Sequence, residues 1–193
     1  MTKKIKEIHR CGWCLGDPAY IKYHDEEWGV PVHDDKKLFE FLILEGAQAG
    51  LSWLTILRRR NGYKKAFYNF DVQRVARMTT KDVQKLMKNE KIIRNRLKIE
   101  STISNAKAFI KIQKEFGSFD KYSWSFVNHK PIVNKRKTLK DFVATSKESD
   151  ALSHDLKLRG FRFVGSTIMY AHMQAVGMVN DHLTTCYRYK SLK

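Results

Sequence analysis

Apolar residues recur at helical spacing along most of this chain, and strand-like alternation is almost absent. Six stretches carry the helical pattern: 36–45, 52–67, 81–88, 92–116, 149–159 and 166–176. Short polar or glycine-bearing breaks separate them, at Gly46, Asn61-Gly62, Gly117-Ser118, Pro131 and Gly160. Residues 72–78 alternate too little to hold a sheet and read as a helical turn, and 128–148, rich in Lys, Thr and Ser, read as a longer loop. No repeat of fixed period appears. The pattern predicts an all-α fold for residues 1–193 as one globular unit of two helical lobes.

One apolar run contains a misfit. In Leu38-Phe39-Glu40-Phe41-Leu42-Ile43-Leu44-Glu45 the last carboxylate shares a helix face with Phe41, Leu42 and Leu44. Asp34 or Asp35 caps the start of this helix, and Gly46 is expected to end it in a left-handed turn. A carboxylate on a buried face must find donors or take up a proton, so a ligand that supplies donors is a natural partner. Trp53 follows as a flat stacking surface. The competing interpretation is a Glu45 with one edge in water, or one paired to a distant Arg.

Composition then narrows the partner. The chain of 193 residues is 42% hydrophobic, enough for a packed interior, and carries a net charge of +17 from 37 Lys and Arg against 20 Asp and Glu. That excess points to a polyanion, nucleic acid first and a membrane surface second. No apolar stretch reaches the ~20 residues of a membrane span, and no signal peptide is recognisable, so the reading places the protein in the cytoplasm. The short basic opening, residues 1–7, reads as a frayed terminus.

Three cysteines make no disulfide framework, and their positions matter more than their number. Cys11, with His24 thirteen residues on, lies near one end, and His182 with Cys186 near the other; their spacing of four suits one helix face. Two sulfurs and two imidazoles satisfy a tetrahedral zinc of the closed, structural kind, which would staple the ends of the chain together. Cys14 competes with Cys11 for that place, Cys11-Gly12-Trp13-Cys14 can be read as a redox motif, and ordinary buried thiols remain an alternative.

Residues 81–116 read as two helices joined by the turn Asn89-Glu90-Lys91, the second beginning at Ile92 with Arg94, Arg96 and Lys98 in its first turns. That arrangement suits a helix-hairpin-helix, which aims backbone N–H groups at a phosphate. An ordinary hairpin with a solvated basic face fits the spacing equally well, and the turn has no glycine to ease approach to a backbone.

Several blocks, in order, carry a resemblance to a known family. They are Arg10-Cys11-Gly12-Trp13, the run from Asp17 through His24 to Pro31, Leu44-Glu45-Gly46-Ala47-Gln48-Ala49-Gly50-Leu51-Ser52-Trp53, Trp124-Ser125-Phe126-Val127-Asn128, Arg159-Gly160-Phe161-Arg162-Phe163-Val164-Gly165, and Gly177-Met178-Val179-Asn180-Asp181-His182 with Cys186. Together they resemble 3-methyladenine DNA glycosylase I over nearly the whole chain. The resemblance implies a helix-hairpin-helix glycosylase fold with one structural zinc on Cys11, His24, His182 and Cys186, leaving Cys14 out. It implies a base pocket of Glu45, Tyr23 and Trp53, with Trp13 and Tyr20 as neighbours. The sequence departs from the family pattern at Glu90-Lys91 and Leu97, where glycines are expected.

The implied reaction is monofunctional hydrolysis of the N-glycosidic bond of 3-methyladenine in double-stranded DNA, by a monomer, in base excision repair. The base must rotate out of the stack. It is cationic while attached to the sugar, so little acid catalysis is required. Glu45 would accept hydrogen bonds from the exocyclic amine and a ring N–H, Trp53 would stack, and Tyr23 would add a hydroxyl. Gln48, Ala49, Gly50 and Leu51 suit the gap the base leaves. The alternatives are a zinc-stapled nucleic-acid-binding module without chemistry, which leaves Glu45 unexplained, and an enzyme with broader alkylated substrates.

Overall fold

The computed structural model describes residues 8–192, and the basic opening segment 1–7 lies outside the described residues. The chain is helical, as the periodicity predicts. Its longer helices are α1 (Pro18–Glu26), α2 (Asp35–Gln48), α3 (Trp53–Ala66), α6 (Arg96–Phe116), α8 (Lys147–Leu158) and α9 (Ser166–Ala175). Shorter helices are α4 (Val72–Ala76), α5 (Thr80–Leu86), α7 (Phe119–Ser125) and α10 (Tyr187–Ser191). Two residues of β1 (Ile132–Val133) pair in parallel with two of β2 (Val179–Asn180), a contact between distant segments that no local alternation announces.

Side-chain caps explain most boundaries. Asp17, Asp34, Ser52, Asn95, Ser118 and Ser146 each accept a hydrogen bond from a backbone N–H in the first turn of the helix they precede. Helix α2 is the central element. Residues 38–47 are buried on every side, between α3, α6, α7 and α9. A helix apolar all round belongs in a core, and Phe39 stacks edge-on against Phe109 of α6 there.

Three expectations change. Gly46 does not end α2, which continues to Gln48; it lies inside the helix because a Cβ there would stand 3.3 Å from Phe163 Cβ. The left-handed residue that turns the chain is Gly50, at φ 75°. Nor does Asn61-Gly62 break α3. A Cβ on Gly62 would meet the Lys91 carbonyl oxygen at 2.1 Å, so the glycine admits the 87–95 turn against the helix. The close approach expected of a glycine in the hairpin is made by one across from it.

The hairpin itself is longer-turned than expected. Its second helix starts at Arg96 after the Asn95 cap, not at Ile92, because residues 92–95 bend and turn tightly against α3, with the Asn95 N–H donating to the Ile93 carbonyl at 2.9 Å. The Ile93 N–H donates to the Tyr63 hydroxyl at 3.3 Å and fixes that path.

Candidate functional site: an aromatic pocket beside a Cys-His cluster

Glu45 sits on the last turns of α2, 3% exposed, and no hydrogen bond or ion pair reaches it among the described residues. Burial alone pushes its carboxyl up from 4.5 to about 8. The carboxyl opens on a cavity of about 320 Å³ walled by Trp13, Tyr20, Tyr23, Trp28, Gln48, Trp53, Leu139, Phe142, Ala171 and Gln174. Helix α1 brings Tyr20 and Tyr23, and the start of α3 brings Trp53. Tyr23 and Trp53 lie 5.3 Å apart, centroid to centroid, inclined at 49°. Trp13 packs edge-on to Tyr20 and Trp28, at 5.1 and 4.8 Å. The indole N–H groups of Trp13 and Trp53 are buried without a partner. A flat slot with aromatic walls, an unpaired carboxyl and two idle donors is suited to a planar, amine-bearing, electron-poor ring.

The five residues expected in a base pocket, Glu45, Tyr23, Trp53, Trp13 and Tyr20, all line this one cavity. Sequence reasoning missed Trp28, Leu139, Phe142, Ala171 and Gln174. Trp28 stands in one of the blocks that carried the resemblance, so a signal existed; the others come from segments with no motif of their own.

Gln48, Gly50 and Leu51 form the α2–α3 turn, along a second cavity that shares Glu45, Gln48 and Ala171 with the first. Leu51 is 41% exposed at its rim. Arg94 and Arg96 are exposed on the hairpin, each near an acidic neighbour, Glu90 at 3.7 Å and Glu100 at 3.5 Å. Lys98 is occupied differently from its neighbours. Its ammonium donates to the carbonyls of Ala47 and Ala49 at 2.8 and 2.6 Å, a cation at the C-terminal end of α2. Lys98 thus ties the hairpin to the turn beside the pocket, and of the three cations expected at the backbone Arg94 and Arg96 are the exposed ones.

On the far side of Trp13 and Trp28 the chain ends meet. Cys11, His24, His182 and Cys186 are all buried, with their ligand atoms within 4.8 Å of one another. Cys186 Sγ lies 3.5 Å from His24 Nε2 and 3.6 Å from His182 Nδ1, and Cys11 Sγ lies 3.7 Å from His182 Nδ1. A hydrogen bond from Cys11 and contacts with both imidazoles hold the Cys186 thiol well below its ordinary value. The rear nitrogens are also held. His24 Nδ1 meets Asp25 at 2.8 Å, itself gripped by Arg10, and His182 Nε2 donates to the Trp28 carbonyl at 3.1 Å. Such backing fixes the tautomer and direction of metal-binding imidazoles. This buried Cys2His2 cluster is able to hold a metal ion.

Cys14 stays outside it, its thiol donating to the Cys11 carbonyl at 3.0 Å, which removes the rivalry with Cys11. The helical face expected for His182 and Cys186 is absent. Both lie on the loop between β2 and α10, held by Asn180, whose side chain accepts from the His182 N–H and donates to the Tyr189 carbonyl.

Fold and pocket define the class as the helical DNA glycosylases. The methyladenine glycosylase family model matches residues 13–189, and the chain belongs to that family. The DNA-3-methyladenine glycosylase 1 of Escherichia coli (strain K12) is 50% identical over 186 residues, spanning 96% of this chain and 100% of that protein. A crystal structure of 3-methyladenine DNA glycosylase I superposes with a TM-score of 0.91 at 49% identity, over 93% of this chain and 98% of the other. The Staphylococcus aureus 3-methyladenine DNA glycosylase I superposes at 0.90 with 39% identity, over 92% and 95%.

Proposed function

We propose that Glu45 is the charge that receives the damaged base, with Tyr23, Trp53, Trp13 and Tyr20 forming its slot. The activity is that of a DNA-3-methyladenine glycosylase, which removes 3-methyladenine in base excision repair. The observation that carries the assignment of roles is the isolation of Glu45: a buried carboxyl without a partner, at the end of an aromatic slot.

A base in duplex DNA must leave the stack to enter such a slot. The 3-methylated nucleotide is a cation, and neutral adenine is not. In the empty slot Glu45 is mostly protonated at neutral pH; beside the cationic ring its carboxylate form is favoured, and the displaced proton passes to solvent. The carboxylate accepts from the exocyclic amine, the Tyr23 hydroxyl meets the ring edge, and Trp53 stacks on its face. Charge at short range counts for more in this dry site than in water. The C1′–N9 bond then breaks with its electron pair going to the ring, so the base departs neutral. Water adds to C1′ of the sugar and loses its proton to bulk. Leu51, with Gln48 and Gly50, fills the space left in the duplex, and Arg94 and Arg96 on the 81–116 hairpin hold the backbone. The protein acts on its DNA as a monomer in this reading, and the reducing cytoplasm suits three free thiols.

Zinc is the ion we assign to the cluster. With Zn–S near ~2.3 Å and Zn–N near ~2.0–2.1 Å, a tetrahedron has S···N edges of about 3.5 Å, close to the separations of 3.7, 3.5 and 3.6 Å for Cys11–His182, Cys186–His24 and Cys186–His182. When bound, zinc supplies no chemistry to the reaction; it staples residue 11 to residue 186. Purified protein should contain one zinc per chain, and chelation should lower its melting temperature. Metal-free protein with an unchanged melting temperature would remove the site. The test of the function itself is to incubate the protein with methylated duplex DNA and identify the released base by chromatography. The expected product is free 3-methyladenine, and its absence would overturn the reading.

A further inference from the structure

Between residues 128 and 147 the chain carries Lys130, Lys135, Arg136, Lys137, Lys140 and Lys147 against one acidic residue, Asp141. By sequence this is only a polar loop. In the structure its middle is a short 3-10 turn, Leu139–Asp141; Leu139 and the following Phe142 enter the wall of the base slot. Leu139 is nevertheless 53% exposed, so it stands at the mouth.

The turn is anchored from behind. Asp181, fully buried, accepts from Arg136 Nε at 2.9 Å, Asn134 Nδ2 at 2.7 Å, the Tyr170 hydroxyl at 2.7 Å and Gln174 Nε2 at 2.8 Å. Arg136 also donates to the Asp141 carbonyl at 2.8 Å, and its own carbonyl accepts from the Thr184 N–H at 2.8 Å. The Asp141 carboxylate is spent within the turn, accepting from the N–H groups of Lys137 and Thr138 at 2.7 and 2.8 Å. Both carboxylates and Arg136 are thereby satisfied internally. What faces solvent is Lys135, Lys137 and Lys140, exposed and without an ion pair among the described residues. Lysines fixed on one rigid turn, with their local counter-charge consumed, suit a phosphate backbone.

A base held in the slot leaves its deoxyribose and two flanking phosphates at the mouth, where Leu139 lies. We propose that residues 135–142 form a second phosphate-binding element, separate from the 87–98 hairpin. In it Lys135, Lys137 and Lys140 hold the strand on either side of the extruded nucleotide. Arg136 and Asp181 are positioning residues that lock this element to the base slot. The proposal rests on the assignment of the base slot to Glu45 and its aromatic neighbours.

The test uses the full chain and a short DNA duplex carrying a stable abasic analogue, with affinity followed as potassium chloride rises. In Lys137→Ala/Lys140→Ala the slope of log affinity against log salt should shrink by roughly one unit for each phosphate no longer neutralised. Binding of free 3-methyladenine, read by tryptophan fluorescence, should not move. Lys111→Ala/Lys114→Ala, on exposed positions toward the far end of α6, removes the same charge and should leave the slope at its unmodified value. An unchanged slope in the first pair, or an equal drop in the second, overturns the proposal. Arg136→Ala should weaken free-base binding several-fold as well as shrink the slope; if it leaves both intact, the positioning role fails. An unchanged slope beside normal base release by the unmodified protein refutes the phosphate-binding element alone, whereas no base release by the unmodified protein refutes the slot.

Discussion

Helix α2 buries two glutamates five residues apart, and their surroundings differ completely. Glu40 accepts from Arg60 Nε at 2.6 Å, with Lys37 at 3.2 Å and Lys64 at 3.7 Å. Burial opposes its charge, yet Arg60 together with Lys37 and Lys64 outweighs burial and holds Glu40 below the ordinary carboxylate range. Arg60 is itself clasped by Glu27 through two bonds of 2.7 and 2.8 Å and rests on the Phe41 ring. Glu45 has no such company, and the same burial pushes its carboxyl up to about 8. One end of the helix spends its carboxylate on holding α1, α2 and α3 together. The other carboxyl is left unpaired at the cavity, which is what the proposed cationic ligand requires. Burial is thus common to a structural acid and to the acid proposed to be functional, and the presence or absence of a partner separates them.

Removing Arg60 should have the largest effect on stability. Arg60→Ala leaves Glu40 and Glu27 short of their main partner, and breaking a buried pair this way costs roughly 3–5 kcal/mol. At ~2–4 °C per kcal/mol for a chain of this size, the melting temperature should fall by about 10 °C. Base release per folded molecule should change far less, because Arg60 does not line the slot. A melting temperature within a degree of the unmodified protein would make the network ornamental. Trp53→Ala acts at the other end of α2. It removes a stacking surface worth ~1–3 kcal/mol, so free-base affinity should fall about tenfold or more. An unchanged affinity by fluorescence or calorimetry would place the base elsewhere.

The two glutamates should also differ in their pH dependence. kcat/KM reports the ionisation of the free enzyme, and receiving a cation requires the Glu45 carboxylate. The carboxyl titrates at about 8 in the empty slot, so log kcat/KM should climb with unit slope from pH 6 and level off above about 8. A flat profile across this range would mean that Glu45 is already ionised and partnered. Glu40, held low, should leave no trace there. The smallest expected effect is Tyr23→Phe, which loses one neutral hydrogen bond worth ~0.5–1.5 kcal/mol, a few-fold in release rate. No change at all would assign Tyr23 to packing against Trp53 alone.

Much of this was legible before the structure, for physical reasons that differ by element. Glu45 stood out because an acid in an apolar run is a local anomaly, and the helices stood out because their periodicity is local too. Contacts between distant segments were not legible. The Gly62–Lys91 approach shifted the start of α6, and packing on Phe163 kept Gly46 helical. Lys98 read as a phosphate contact from its place in a basic first turn, but three-dimensional proximity gives it the carbonyls that end α2. His182 and Cys186 were rightly joined, although their spacing of four arises in a loop pinned by Asn180 rather than on a helix. Leu139 and Phe142 sit in a segment whose composition says only loop, and the buried Asp181 that anchors it could not be seen from either end.

The proposed function of this slot rests on the charge at Glu45. Glu45→Gln keeps the shape of the side chain and removes that charge. Losing a charged hydrogen bond of this kind costs roughly 1.5–3 kcal/mol, so release of 3-methyladenine from methylated duplex in a single turnover should slow tenfold or more. Stability should move the other way. The folded-state carboxyl lies at about 8 against an ordinary 4.5, so burying it costs nothing below 4.5 and increasingly more as pH rises to about 8. The variant should therefore melt at or above the unmodified protein at neutral pH, and its advantage should vanish in acid. Slow release from a protein that is no less stable is the predicted result. Release at the unmodified rate would contradict a functional charge at Glu45, whatever the melting temperature does.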